Sequence, residues 1–386
     1  MRKTRWSAAT GCAAALVLMT ACAGDGESAG AETTSASPTT TASSTTAATT
    51  APAPTTEAPR TGIYAYTTPA DMSPAVADIP ARVYVPNSDA NTLTVIDPAT
   101  KEIIGRYNTG RMPHHVVPSW DLSTLWINNT QGNSLTRIDP RTGEPGESVP
   151  VEDPYNLYYT LDGSQAIVVA ERFQRLDFRD PNTWELIGSV NIGHSGPNHL
   201  DFSPDGSYLL IGCEFSGWIV KVDVASRQVV GEMNVGGEPI DIRLSPDGTR
   251  FYAANQSRGG VMVIDPDTMT ETKFIPTGRG THGIYPSRDG KVIYATNRLS
   301  GSVSVIDTET DELYVTWNTG SSPDMGGVSP DGNELWLSGR YNSEVIVIDT
   351  RTGEVTHRIK TGAGAHGLSF FPQPGRFSLG HTGNYR

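Results

Sequence analysis

The sequence predicts an all-β chain closed into a seven-bladed β-propeller with four antiparallel strands per blade, and three observations predict it. Turn aspartates recur at a fixed period, with Asp121, Asp162, Asp205, Asp247, Asp289 and Asp331 spaced 41, 43, 42, 42 and 42 residues apart. Each period holds short apolar runs separated by Asp-Gly and Ser-Gly pairs, which supply the positive φ of tight hairpins. No helical pattern interrupts them, and a four-stranded unit repeating every ~40–45 residues is the pattern of a propeller blade.

Thr277 to Asp307 shows the unit most clearly. An apolar run (Gly283–Pro286) leads into a turn (Ser287–Gly290). A second run (Val292–Ala295), a polar loop (Thr296–Gly301) and a third run ending in Ile-Asp (Val303–Asp307) follow. Glu312 to Trp317 is the fourth strand, after which the unit restarts.

From the N-terminus, residues 1–22 form a secretory signal: Arg2, Lys3 and Arg5, then an apolar stretch from Ala13 to Met19, then small residues before Cys22. The apolar stretch is too short to span a bilayer. Met19-Thr20-Ala21-Cys22 resembles a bacterial lipobox, which implies cleavage before Cys22, a diacylglycerol thioether on its sulfur, and a lipid-anchored extracytoplasmic protein at the cell surface. Residues 23–61 are almost wholly Thr, Ala, Ser, Pro, Gly and Glu. Such a segment buries too little apolar surface to offset its ordering entropy, and is expected to be a disordered tether. Residues 62–81 read as an ordered lead-in packed on the outside, and 82–386 as the propeller.

The repeats begin mid-blade at Val83–Asn87, followed by Leu93–Asp97 and Ile103–Tyr107. Six complete units then open at His114, Tyr155, Asn198, Ile240, His282 and Asp324, and a last one opens at His366. Third strands end at Asp97, Asp139, Asp177, Asp223, Asp265, Asp307 and Asp349, which also counts to seven. Partial blades at both ends make one whole blade if they meet, and closure removes free sheet edges. Val83–Asn87 and Phe377–His381 both read as second strands of that blade, so one must sit elsewhere. The unit with Ala166–Phe178 reads as having a second hairpin about four residues shorter than the rest.

Residues 82–386 are enough to bury roughly three quarters of the unfolded surface, so the fold needs no disulfide. Cys213 is the only cysteine in that region, which leaves a small buried hydrophobe or a soft metal ligand as its readings. The formal charge of −13 becomes −16 once the three cations of the signal are removed. An acidic chain without basic runs argues against nucleic acid and against docking on anionic lipid. A monomer is expected.

In a propeller the first strand of each blade is innermost, so the links between blades and the loops between second and third strands share one face. The Asp-Gly turns lie on the other. Aligned on the apolar pairs that follow, His114, Tyr155, Asn198, Ile240, His282, Asp324 and His366 take one position just before the inner strand, with His115 and His199 one residue on. The loops add Asn129, Glu171, Glu214, Asn255, Asn297, Arg340 and His381. This set suits a funnel for a divalent metal or an anionic small molecule. The plainer reading is a water-filled channel with polar strand caps.

Ligand-binding candidates are His114, His115, Asn198, His199, Asp324, Arg340 and His381; metal-ligand candidates are His114, His282 and His366. Of these three, the first and last become neighbours on ring closure and His282 lies two blades away, which is loose for one tetrahedral ion.

Gly278-Arg-Gly-Thr-His-Gly283 and Gly362-Ala-Gly-Ala-His-Gly367 match GxGxxG, but each precedes a strand, so no helix N-terminus is available for a pyrophosphate. There is no Cys-x-x-Cys-His, which excludes covalent haem, no His-Glu-x-x-His, and no Gly-x-Ser-x-Gly elbow, the one match of that pattern, Gly26-Glu-Ser-Ala-Gly30, lying in the low-complexity segment.

With Ile293-Tyr-Ala-Thr-Asn297 and the Ser-Pro-Asp-Gly turns at 203–206, 245–248 and 329–332, the repeats resemble the YVTN-type (YncE-like) propeller family. Ser322-Pro-Asp-Met-Gly-Gly-Val, Leu337-Ser-Gly-Arg-Tyr and the ending from Pro374 resemble a secreted subgroup. The resemblance implies the fold over 82–386. It leaves function open among binding proteins, lactonase-like enzymes and distant relatives of the haem d1 propellers.

The leading expectation is a non-enzymatic module that binds a small molecule or another cell-envelope protein. The alternative is a lactonase-like or metal-assisted hydrolase with Glu171, Glu214, His282 or His366 as catalytic groups. A third is a non-covalent haem-type cofactor and a redox partner role. The relatives that bind haem d1 usually have eight blades, against seven counted here.

Overall fold

The computed structural model describes residues 62–375. Cys22, the signal, the whole of the tether, and the Phe377–His381 run with His381 lie outside the described residues. Within them seven four-stranded antiparallel sheets follow one another. Six are contiguous in sequence: blade one spans 113–150, blade two 154–191, blade three 197–234, blade four 239–276, blade five 281–318 and blade six 323–360.

Blade seven joins the two ends. Ser369–Phe371 pairs with Arg82–Asn87, which pairs in turn with Thr92–Ile96 and Ile103–Asn108. Arg82–Asn87 therefore holds the second-strand place that two segments contested in the sequence.

Each turn is built as its residues dictate. In the Ser-Pro-Asp-Gly turn of blade three, Asp205 Oδ1 accepts from Ser203 Oγ at 2.7 Å and from the Ser207 amide at 3.0 Å. Gly206, Gly248, Gly290 and Gly332 take φ of 72°, 75°, 70° and 79°, where a Cβ would be strained.

Second strands are buried on both faces because a blade lies on either side, as in Ala166–Ala170 and Phe251–Asn255. Outer strands such as Gln228–Asn234 alternate exposed and half-buried residues. The core accordingly lies between blades. Ile240, Tyr252 and Val261 of blade four pack with Ile284, Ile293 and Ile306 of blade five. Each fully buried aliphatic side chain contributes about 1.5–3 kcal/mol. Blade seven is sealed on both sides, Val83 and Phe370 packing with Trp336 and Val345, and Tyr84 and Phe371 with Val116 and Ile127.

Side chains bridge the inner strands. Asp201 Oδ2 accepts from the Leu244 amide and Asp241 Oδ2 from the Ile284 amide, each at 2.7 Å, and Tyr285 Oη accepts from the Gly326 amide at 2.8 Å.

One reading of the sequence is corrected. The hairpin of blade two has the same length as the others, because its third strand is Arg175–Arg179 and the turn aspartate that follows it is Asp180, not Asp177. Asp180 Oδ1 accepts from the Asn182 and Thr183 amides at 2.8 and 2.9 Å. Asp177 is fully buried, held by Arg175, Arg179 and Ser189. The lead-in lies over the face of the Asp-Gly turns: the Ile63 amide donates to the Pro246 carbonyl, Tyr64 Oη to the Leu244 carbonyl, and Val76 and Ile79 enter the core. Beside it Arg288 donates to the Ser329, Val328 and Thr67 carbonyls and to Gln373. Burial, only partly offset by Asp331, pulls its guanidinium down to about 9.

Cys213 is fully buried in the core of blades two and three, and burial pushes its thiol up to about 12. A protonated thiol inside an apolar cluster acts as a hydrophobe.

Candidate binding site at the channel mouth

Six of the seven opening residues lie inside the inner strands rather than just before them, and His366 alone precedes its strand, Ser369–Phe371. Pro113 pairs with Asn129 and Val116 with Ile127, so one extra residue is carried between them, a bulge that recurs in blades one to six. The pairing slip falls on His114 and His115, and on the matching residues of the other blades. His114, His115, Asn198, His199, His282, Asp324 and His366 are all buried.

Five imidazoles cluster there. His114 and His366 have ring centroids 4.1 Å apart, His115 lies 5.2 Å from each of His114, His366 and His199, and His282 lies 6.1 Å from His366. Ring closure brings His366 beside blade one, where the Gly367 amide donates to the His114 carbonyl at 3.1 Å. Asp324 stands between the two imidazoles that looked far apart in sequence: its Oδ1 is 3.3 Å from His282 Nδ1 and its Oδ2 is 3.6 Å from His366 Nε2. Two triads have donor atoms within 4.8 Å of one another, His114/His115/His366 and His282/Asp324/His366.

A second ring surrounds the first. Ser88, Thr130, Glu171, Glu214, Gln256, Arg298 and Arg340 occupy equivalent loop positions, spaced 42, 41, 43, 42, 42 and 42 residues apart. Each except Glu171 is pinned by its amide, which donates to the preceding link, as Glu214 does to the Gly196 carbonyl at 2.8 Å and Arg298 to Gly280 at 2.9 Å.

Three loop positions named from the sequence were one residue early. Asn129, Asn255 and Asn297 end their strands with the side chain turned onto backbone or hairpin groups beside them, Asn297 Nδ2 donating to Ser302 and Ser304. Thr130, Gln256 and Arg298 take the ring positions instead. Aligning each loop on the link it bonds, rather than on strand ends, would have found them.

Charge divides across the mouth. Arg298 Nη1 is 3.2 Å and Arg340 Nη1 3.9 Å from the Asp324 carboxylate. Opposite, Glu214 accepts from Gln256 and from Asn198 at 3.1 Å, and Gln256 accepts from Arg298. Asn198 thus orients Glu214. His199 lies one layer deeper, near Asn156, Tyr158 and Tyr155.

Burial, then the Glu214 and Asp153 carboxylates, push Glu171 up to about 8. Burial raises Glu214 too, against the pull of Arg298. Burial, then Arg340 and Arg298, hold His114 well below the usual imidazole range; burial, then His114 and Arg340, do the same to His366.

His114, Tyr155, Glu171, Glu214, His282, Arg298, Arg340 and His366 line one cavity of about 270 Å³. Around it Phe173, Phe215, Leu299 and Tyr341 are exposed, an apolar collar on a polar funnel.

The model of the YNCE-like beta-propeller family matches residues 59–374. The chain belongs to that family. Solved structures resemble this YNCE-like propeller in fold. Hydrazine synthase of Kuenenia stuttgartiensis superposes with a TM-score of 0.62 at 19% identity, over 70% of this chain and 92% of that one. Dihydro-heme d1 dehydrogenase NirN in complex with DHE gives 0.58 at 17%, over 76% and 75%. A functionally unknown protein from Desulfotomaculum acetoxidans gives 0.65 at 17%, over 75% and 98%. No curated protein matches in sequence.

At these identities the likeness shows the fold alone. A haem-type group fits the described mouth poorly, since the imidazoles pack against one another and a cavity of about 270 Å³ suits a ligand smaller than a macrocycle.

Proposed function

We propose that this YNCE-like propeller is a lipid-anchored extracytoplasmic binding module that takes a small anionic molecule into the mouth of its channel. The observation that carries this reading is the convergence of two cavity-lining arginines, Arg298 and Arg340, on the buried Asp324 carboxylate, with Nη1 of Arg340 lacking a hydrogen-bond partner among the described residues. Two guanidiniums against one carboxylate leave donors for a second anion, and the arginine fork suits carboxylates. The Thr/Ala/Ser/Pro-rich segment ahead of the propeller, with Cys22 before it, supports presentation of this face away from a membrane.

Thermal unfolding of the full chain with citrate as the probe tests the reading. A ligand that binds only the native state stabilises it by about 2.7 kcal/mol at a hundredfold excess over Kd. The midpoint should rise with citrate in the wild type and not in Arg340→Met. No response to citrate or to shorter dicarboxylates would sink the small-anion reading and leave a protein partner at the apolar collar.

A hydrolytic reading has one observation in its favour: Glu171, pushed up to about 8, is a protonated acid at neutral pH in the same cavity as His282 and His366. Lactone hydrolysis lost in Glu171→Gln with the fold intact would move the assignment to an enzyme.

A further inference from the structure

We infer that the mouth holds one divalent first-row transition-metal ion, coordinated by Nε2 of His366, the Asp324 carboxylate and His282. The inference deepens the proposed binding site and rests on that mouth being the place of binding.

Lone-pair geometry carries it. His366 Nδ1 lies 3.2 Å from the carbonyl oxygen of His114. A carbonyl only accepts, so Nδ1 bears the hydrogen and the neutral ring turns the lone pair of Nε2 toward Asp324. Oδ2 of Asp324, 3.6 Å from that nitrogen, belongs to a fully buried side chain and has no hydrogen-bond partner among the described residues. Two acceptors facing one another away from water are unfavourable unless a cation lies between them.

The spacing matches an ion. Bonds of about 2.1 Å at tetrahedral angles put ligand atoms about 3.4 Å apart. Two contacts here approach that spacing, 3.3 Å from His282 Nδ1 to Oδ1 and 3.6 Å from Oδ2 to His366 Nε2, one to each oxygen of the carboxylate, so the ion would draw on both oxygens. His366 is shared with the group of His114 and His115, which puts further imidazole nitrogen within 4.8 Å. Two or more imidazoles with one carboxylate suit zinc, iron or copper rather than magnesium or calcium, which favour all-oxygen sets.

Arg298 and Arg340 already share the same carboxylate. A divalent ion beside them leaves the mouth short of negative charge, which an exogenous anion on the open side of the ion would supply.

The test uses the full chain without a histidine tag. Metal content is measured as purified, and again after chelation and dialysis against Co²⁺ alone, with the visible absorption spectrum. The expected result is one ion per chain and a cobalt ligand-field band. Both should fall at least tenfold in His366→Ala and Asp324→Asn, and both should be kept in His357→Ala, an exposed histidine on an outer strand. Asp324→Asn keeps the shape of the side chain, and circular dichroism identifies any variant that has unfolded.

A folded wild type that takes up less than a tenth of an equivalent of Co²⁺ overturns the inference, the gap then being filled by a proton. So does equal uptake by folded Asp324→Asn. Citrate stabilisation of a metal-free protein would leave the anion site standing without the ion. A stoichiometric ion without any anion response would do the converse.

Discussion

Gly367 packs against His115 so closely that a Cβ added to it would stand 2.1 Å from Nδ1 of that imidazole and 2.8 Å from the His114 carbonyl oxygen. The same glycine exchanges backbone bonds with blade one, donating to the His114 carbonyl and accepting from the Val116 amide at 3.3 Å. Ring closure and the histidine cluster therefore meet at one residue that must lack a side chain. Gly367→Ala should destabilise by about 1–3 kcal/mol, the usual cost of overpacking a filled interior. Gly146→Ala, on an outer strand where the nearest atom to an added Cβ is 3.9 Å away, should be near neutral. Equal denaturation midpoints for the two variants would show that blades seven and one are not held this tightly.

Glu171 ties stability to pH. Its carboxyl is pushed up to about 8 in the fold, from an ordinary value of 4.5 when unfolded. Below about 4.5 both states hold the proton and the group costs nothing. Between there and about 8 the unfolded chain releases the proton more readily, so the contribution to stability is lost as pH rises. Glu171→Gln should flatten that part of the profile and be the more stable protein at pH 8.5, by an amount of the order of 1 kcal/mol or more. Parallel profiles for wild type and variant across pH 5–8.5 would refute the raised value.

Arg298 and Asp324 should be coupled. The carboxylate is fully buried and the arginine side chain is 12% exposed, so removing the cation strands a charge. Breaking a pair of this kind costs about 3–5 kcal/mol, whereas removing both partners costs much less than the sum. Arg298→Met, Asp324→Asn and the double variant, compared by denaturant unfolding, should give a large coupling. Additive effects would mean that Arg340 and the imidazoles carry the carboxylate without help from Arg298.

Architecture was legible in the sequence because each blade repeats the same turn chemistry. Asp205, Asp247, Asp289 and Asp331 mark equivalent corners. The inner ring was legible for a similar reason, since His114, His282 and His366 each precede the same kind of apolar run. What stayed hidden depends on distance across the ring. His282 and His366 sit two blades apart in order, yet Asp324 from the blade between bridges them at 3.3 and 3.6 Å. Blade two misled because Asp177 and Asp180 are both aspartates near a strand end, and only hydrogen bonding separates a buried ion pair from a turn cap. The outer ring was misread by one residue because an asparagine closing a strand resembles a rim residue until its side chain is placed.

That one-residue distinction can be measured at Asn297 and Arg298. Asn297 Nδ2 donates to Ser302 Oγ at 3.1 Å and to Ser304 Oγ at 3.0 Å, and its Oδ1 accepts from Thr281 Oγ1 at 3.2 Å. All four side chains are buried, and Asn297→Ala removes three hydrogen bonds, but Thr281 Oγ1 keeps the Gly278 carbonyl and Ser304 Oγ keeps Thr316, so only Ser302 loses its partner and the cost should be about 1–3 kcal/mol. The alanine touches no group that lines the cavity, so citrate should still shift the unfolding midpoint of the weakened protein by as much as it shifts the wild type. Arg298→Lys keeps the cation but loses the planar fork, and should show the reverse: a small loss of stability with a several-fold loss of citrate response. If Asn297→Ala abolished the response while Arg298→Lys kept it, the strand-end residues would be the working ring after all.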